Sequence, residues 1–218
     1  ENFAYLRSEA EDIGYTQSLN GELTGWLRDV ARFWGIHLLA GSFPETAPGG
    51  KVYNSSLLLD PEGAVLAHYR KIHLFDAVLP DGTVLAESRS VEPGTEVVTA
   101  VVEGVRVGLS ICYDLRFPEL YRRLAVAGAE VLCVPSAFTF QTGQVHWEIL
   151  LRARAIENQA FVVAPAQFGQ HTPQRRSYGH AMIVDPWGTV LGVAREQETV
   201  VLADLDFDRL HQVRAKMP

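Results

Sequence analysis

Cysteine is scarce in these 218 residues: only Cys112 and Cys133 occur, which leaves no disulfide framework and no paired spacing for a metal. No Cys-x-x-Cys is present, which sets aside a thioredoxin-like dithiol. No Gly-x-Ser-x-Gly is present, which sets aside the serine elbow of the α/β hydrolases. No cluster of His and Cys offers a metal site, so no metal is expected. Long apolar runs are missing too: none approaches the roughly 18 residues of a membrane span. No basic-then-apolar leader opens the chain. Positive charge is outnumbered, and a net charge of −7 argues against nucleic acid or an anionic membrane as partner. Two unpaired thiols suit a reducing cytoplasm, the expected location.

What the chain does have is core-forming material. At 47% apolar, it can bury a substantial core and is most simply one domain. Residues 23–34 carry apolar side chains at helical spacing and stop at Gly35. Residues 36–42 and 52–60 read as strands, and Pro61-Glu62-Gly63 turns the second into 64–69, a hairpin. Residues 97–102 and 105–111 flank Glu103-Gly104 as another hairpin. A helix over 117–128, a buried strand over 129–135, a helix over 145–158 and an apolar strand over 160–166 follow. Residues 181–184 and 190–194 flank Asp185-Pro186-Trp187-Gly188, a third hairpin. A strand over 200–204 and a helix over 207–216 complete the reading. Hairpins mixed with strand–helix–strand units predict a layered α/β domain with mixed sheets. Residues 76–93 read as one long irregular loop, a length usually tied to function.

The stretch richest in chemistry is Gly108-Leu109-Ser110-Ile111-Cys112-Tyr113-Asp114-Leu115-Arg116-Phe117-Pro118-Glu119. It reads as a strand that ends on a cysteine and drops into a polar turn opening a helix. A nucleophile belongs there, with backbone N–H groups nearby to hold an oxyanion. A lone cysteine is by default a small buried thiol, and that is the reading for Cys133 in its apolar run. Lys71 in Tyr69-Arg70-Lys71-Ile72-His73-Leu74 ends a strand; it is either a solvated charge or an ammonium aimed at a developing oxyanion. Glu87, in the long loop, and Glu1, the first residue, are by default a surface carboxylate and a chain end. His146 and Glu148 sit at i,i+2 and cannot share a helix face. Arg154 with Glu157 and Asn158 reads as helix-surface or interface pairing.

These blocks, taken in order, resemble the nitrilase (carbon–nitrogen hydrolase) superfamily. The resemblance runs from Glu1-Asn2-Phe3 through Tyr53-Asn54-Ser55, the Lys71 block and the Cys112 block. It continues through Pro135-Ser136-Ala137-Phe138, Thr142-Gly143, His146-Trp147-Glu148 and Arg152-Ala153-Arg154-Ala155-Ile156-Glu157-Asn158. Tyr178-Gly179-His180 and Asp185-Pro186-Trp187-Gly188 complete it. It is closest to the Nit branch, which holds amidases of deaminated glutathione and of ω-amides.

The resemblance implies a four-layer α-β-β-α sandwich and a Glu–Lys–Cys triad. Cys112 matches the nucleophile, Lys71 the catalytic lysine and Glu1 the general base. Glu87 matches a second glutamate that positions the lysine or the substrate, and the Tyr113 backbone N–H supports the oxyanion. The implied activity is hydrolysis of a linear C–N amide bond through a Cys thioester, releasing ammonia and a carboxylic acid. The implied substrate is deaminated glutathione or a similar small keto-acid amide, with α-ketoglutaramate as the nearest rival. Arg116, Arg175 or Arg176 is expected to pair with a substrate carboxylate. A homodimer or larger homo-oligomer is implied as well, and the implied chemistry needs no metal or organic cofactor. The family carries a strand, a helix and a second strand ahead of this glutamate. Residues 1–218 are therefore expected to be a single carbon–nitrogen hydrolase domain lacking that segment, part of a longer protein. An inactive scaffold of the same fold is the rival from another class, and the joint presence of Lys71, Glu87 and Cys112 speaks against it.

Overall fold

The computed structural model describes residues 16–78, 82, 84–173 and 175–217. Two compact units divide the chain, with the boundary at Glu96 and Val97. The first unit opens with α1 (Glu22–Trp34), closed by Gly35 in the left-handed region at φ 59°, where its N–H reaches the Ala31 and Arg32 carbonyls. Strands β1 (Leu38–Leu39) and β2 (Phe43–Thr46) follow, then β3 (Val52–Leu59) and β4 (Val65–Arg70). Strand β3 is the axis of this sheet. Strands β1 and β2 pair antiparallel along one edge of it; β4, antiparallel, and β7 (Val91–Glu92), parallel, occupy the other. Leu27 and Ala31 of α1 pack with Ala40, Phe43, Leu57 and Leu59 on one face of the sheet. Burying an aliphatic side chain of this size contributes about 1.5–3 kcal/mol, so this face fixes the register of β3 and β4.

The span expected to be irregular is not. Strands β5 (Asp76–Val78) and β6 (Val84–Ala86) form a small antiparallel hairpin, and Glu87–Arg89 makes one 3₁₀ turn. Three-residue strands carry too few alternations to show a period. The strand expected over 36–42 is also shorter, because the chain leaves β1 at Ala40 and β2 begins at Phe43.

The second unit holds a six-stranded mixed sheet among the described residues. Strands β8 (Thr99–Val102) and β9 (Val105–Leu109) form the expected hairpin. Helix α2 (Pro118–Val126) links β9 to β10 (Val131–Cys133), and α3 (Phe140–Asn158) links β10 to β11 (Phe161–Ala164). Strands β9, β10 and β11 run parallel. Central β10 is buried along its whole length, which explains its unbroken apolar run. A hairpin unforeseen in the sequence, β12 (Phe168–Thr172) and β13 (Arg175–Tyr178), comes next. Its residues are polar and lack a strong alternation. Strands β14 (Met182–Val184) and β15 (Val190–Val193) complete the sheet in antiparallel sense, and α4 (Phe207–Lys216) closes the chain. The strand expected over 200–204 is absent: Val200 and Leu202 are 77% and 85% exposed, and no described strand pairs with this segment. Alternating apolar residues mark extended chain, but a strand also needs a partner.

Candidate active site

In the first unit the end of β4 presents Lys71. The pleat turns Arg70 and Lys71 to opposite faces. Lys71 is only 1% exposed, and its backbone is tied at both ends: its N–H donates to Asn54 O and its carbonyl accepts from Gly94 N–H, each at 2.8 Å. The ammonium donates to Glu87 Oε1 and Oε2 at 3.1 and 2.8 Å. The Glu87 carboxylate also accepts from Phe75 N–H at 2.6 Å and from Asn54 Nδ2 at 3.3 Å. Four donor contacts on one carboxylate offset the cost of burying the ammonium beside it. The lysine is therefore a buried, oriented cation and not the solvated charge that is its usual fate.

On Arg70's face a second carboxylate is held as firmly. Glu45 accepts from Ser55 Oγ at 2.5 Å, His68 Nε2 at 2.9 Å, and Arg70 Nε and Nη2 at 3.0 and 2.5 Å. Burial pushes its carboxyl upward, but the bonds to His68, Arg70 and Ser55 outweigh that and hold it at about 2. The Arg70 guanidinium also lies 4.0 Å from the Tyr53 ring centroid. This cluster is invisible in the sequence, because its members come from three strands.

In the second unit the parallel ladder extends beyond the strands themselves. Ser110 N–H donates to Cys133 O, Cys112 N–H to Pro135 O, Val134 N–H to Val163 O, and Ser136 N–H to Pro165 O. The three loops that leave β9, β10 and β11 are thus stitched together at the carboxyl ends of the strands, where open α/β sheets bind ligands. Cys112 opens a single 3₁₀ turn, Cys112–Arg116, at φ 46°, and is 4% exposed. A left-handed conformation at a non-glycine residue costs about 1–3 kcal/mol and persists only where the surroundings over-determine it. Here Asp114 closes the turn: its N–H donates to Ile111 O, and its Oδ2 accepts from Ile111 N–H at 2.8 Å. Tyr113 follows directly in the same turn.

Arg116 ends the turn, its guanidinium 5.8 and 5.2 Å from the Tyr113 and Phe138 ring centroids. Nη1 donates to His146 Nδ1 at 3.3 Å, which makes that ring nitrogen the acceptor. Burial holds Arg116 below the ordinary arginine value, against the pull of Tyr113 and Cys112, and among the described residues no ion pair engages it. The other two arginines differ. Arg176 pairs with Glu196 at 2.9 Å and lies 3.7 Å from the Phe140 ring centroid. Arg175 lies on the opposite face of β13, where burial first and the Arg175 charge second hold His171 below its usual value. As expected, Glu148 does not join His146; it pairs with Arg152 at 3.2 Å. Trp147 is fully buried against Phe138 and donates Nε1–H to His180 O at 2.8 Å.

Cys133 is packing, as expected: burial alone pushes its thiol up to about 12. Glu1 lies outside the described residues. Among those residues no group of His, Cys, Asp and Glu is arranged to hold a metal. No helix among them is long and apolar enough to cross a membrane.

The second unit presents a cysteine at positive φ beyond the ends of parallel strands, and the first unit, by itself, holds a buried lysine locked to a glutamate. The carbon–nitrogen hydrolase family model matches residues 1–215, and the chain belongs to that family. It is an enzyme of the amidase type, with the mixed α/β fold of the nitrilase superfamily. It is 46% identical over 222 residues to the deaminated glutathione amidase of a Synechocystis strain, covering all of this chain and 82% of that protein. The crystal structure of Caenorhabditis elegans NitFhit superposes with a TM-score of 0.93 at 41% identity. That alignment covers all of this chain and 54% of the worm protein, so the chain spans about half of its length. Saccharomyces cerevisiae Nit3, a member of branch 10 of the nitrilase superfamily, gives a TM-score of 0.89 at 31% identity, covering all of this chain and 79% of that one.

Proposed function

We propose that residues 1–218 act as one carbon–nitrogen hydrolase domain that cleaves the amide of deaminated glutathione through a thioester on Cys112. The observation that carries this is the presentation of Cys112, at positive φ above the parallel strands, in a chain 46% identical to a deaminated glutathione amidase. Glu1 takes the thiol proton and Sγ attacks the amide carbonyl carbon. The Lys71 ammonium and the Tyr113 backbone N–H stabilise the oxyanion. The Cys112 N–H is already given to Pro135 O. Glu87 orients Lys71. The C–N bond then breaks as Glu1 returns its proton to the leaving nitrogen. A water attacks the thioester, Glu1 takes its proton, the C–S bond breaks and the thiol is restored.

A primary amide loses ammonia in this step. Deaminated glutathione loses the amine of cysteinylglycine and yields 2-oxoglutarate. Both ends of that substrate carry a carboxylate, and Arg116 is the arginine best placed to receive one, since Arg176 is committed to Glu196. The chain works in the cytoplasm as a homodimer or larger homo-oligomer, with neither nucleic acid nor membrane as partner.

The test is turnover of deaminated glutathione and of α-ketoglutaramate, followed as 2-oxoglutarate, with Cys112→Ala alongside. Faster, Cys112-dependent release from deaminated glutathione is expected. Preference for α-ketoglutaramate would move the assignment to an ω-amidase. Turnover that survives in C112A would overturn the nucleophile.

A further inference from the structure

Arg154 projects from α3 and is 5% exposed. Its Nε and Nη2 both donate to one acceptor, the Leu115 carbonyl, at 3.0 and 2.7 Å. Leu115 belongs to the single turn that Cys112 opens, and it is itself fully buried. We propose that Arg154 is a positioning residue for the nucleophile: it clamps the far end of the Cys112–Arg116 turn and so keeps Sγ and the Tyr113 amide in their reactive arrangement.

The turn is strained at its first residue, and a strained residue relaxes unless both of its flanks are held. The near flank is held by Cys112 N–H to Pro135 O and by Ile111 N–H to Asp114. The carbonyl of the far flank is given a guanidinium fork. A neutral N–H or a water would satisfy a carbonyl; a charged, planar donor makes a stronger and more directional bond. Burying that charge is costly, so a purely space-filling role would be met better by an apolar residue.

The clamp is itself fixed. Arg154 Nη1 donates to Glu157 Oε1 at 2.9 Å, and Asn158 Nδ2 donates to the Arg154 carbonyl at 2.9 Å. The guanidinium sits 5.4 Å from the Tyr121 ring centroid. The Tyr121 hydroxyl is 2.7 Å from Ser110 Oγ, which donates to Cys133 O at 2.8 Å. One connected network therefore runs from α3 beneath the turn to the strand that delivers Cys112.

The proposal rests on Cys112 being the nucleophile. Its test is Arg154→Lys, which keeps the charge but loses the fork, with active sites counted by stoichiometric alkylation of Cys112 and Cys112→Ala assayed in parallel. In R154K, kcat per titrated site is expected to fall tenfold or more while KM stays within about threefold, the signature of a lost transition-state arrangement. A kcat per site within twofold of the parent would overturn the clamp, leaving Arg154 as packing alone. Turnover surviving in C112A would remove the nucleophile reading and the clamp with it; loss in C112A with normal R154K would overturn only the clamp. Glu157→Gln, at a half-exposed partner, covers an R154K that fails to fold. There a severalfold lower kcat at unchanged KM is expected, and an unchanged kcat would refute the proposal.

Discussion

Replacing Glu87 by glutamine removes one charge and no volume, and the geometry gives its cost. Lys71 approaches both carboxylate oxygens, Phe75 N–H donates to Oε2 and Asn54 Nδ2 donates to Oε1. A glutamine amide has one acceptor and one NH₂ group. Whichever way it turns, its NH₂ faces two donors, and the ammonium of a residue 1% exposed loses the charge of Glu87. Breaking a buried ion pair from one side costs about 3–5 kcal/mol. The Glu87 side chain is 17% exposed and water reaches part of it, so the cost falls below that range, to about 2–3 kcal/mol. For a chain of this length that is a fall in Tm of roughly 5–10 °C. The assay is reversible urea denaturation of the parent, E87Q, K71M and the double variant. In the K71M background the E87Q penalty should shrink to about 1 kcal/mol, because the ammonium it strands is gone. An E87Q variant within about 0.5 kcal/mol of the parent would refute the reasoning, since it would mean that Lys71 reaches water in solution.

Glu45 governs the acid limb of stability. Its carboxyl titrates at about 2 when folded against 4.5 unfolded, so its contribution is full above about pH 4.5 and is lost as pH falls towards 2. Glu45→Gln should flatten that part of a stability–pH curve, worth roughly 3 kcal/mol, and equal slopes in the two proteins would count against the cluster. Gly94→Ala should lower kcat along with stability: its Cβ would strike the Arg70 carbonyl, 2.8 Å from the carbon, and Gly94 N–H holds the Lys71 carbonyl. An alanine variant with parental activity would show that the end of β4 yields freely. With Cys133 pushed up to about 12, only about one molecule in 10⁵ carries its thiolate at neutral pH. Iodoacetamide followed by peptide mapping should therefore label Cys112 and spare Cys133 until the protein unfolds; equal labelling would contradict the burial of β10.

The sequence displayed what is local. Apolar spacing marked α1, the pleat alternation and turn residues marked the β3–β4 and β8–β9 hairpins, and the unbroken apolar run marked β10. The Cys112 turn was legible because strand, cysteine, turn and Pro118 follow one another directly. Hidden features were those whose partners lie far apart in the chain. Glu45 meets Ser55, His68 and Arg70 only once three strands pair. The bond from Arg154 to the Leu115 carbonyl spans 39 residues. The Arg154–Glu157 spacing did appear and suggested a surface pair, and the pair exists; spacing along a helix gives a neighbour, not a depth.

Charge burial follows one rule in both units. Arg70 faces the Glu45 carboxylate, Lys71 the Glu87 carboxylate, and Arg154 a carboxylate and a carbonyl together, so each buried or half-buried cation is met by fixed acceptors. Arg116 departs from it. Burial depresses its guanidinium, its neighbours are two ring faces and a histidine nitrogen, and it stands four residues after Cys112. A half-buried cation that meets no carboxylate among the described residues is costly in the free protein, and an arriving carboxylate would relieve it. On the function proposed above, that difference between free and bound states is what a carboxylate-bearing substrate would gain at Arg116.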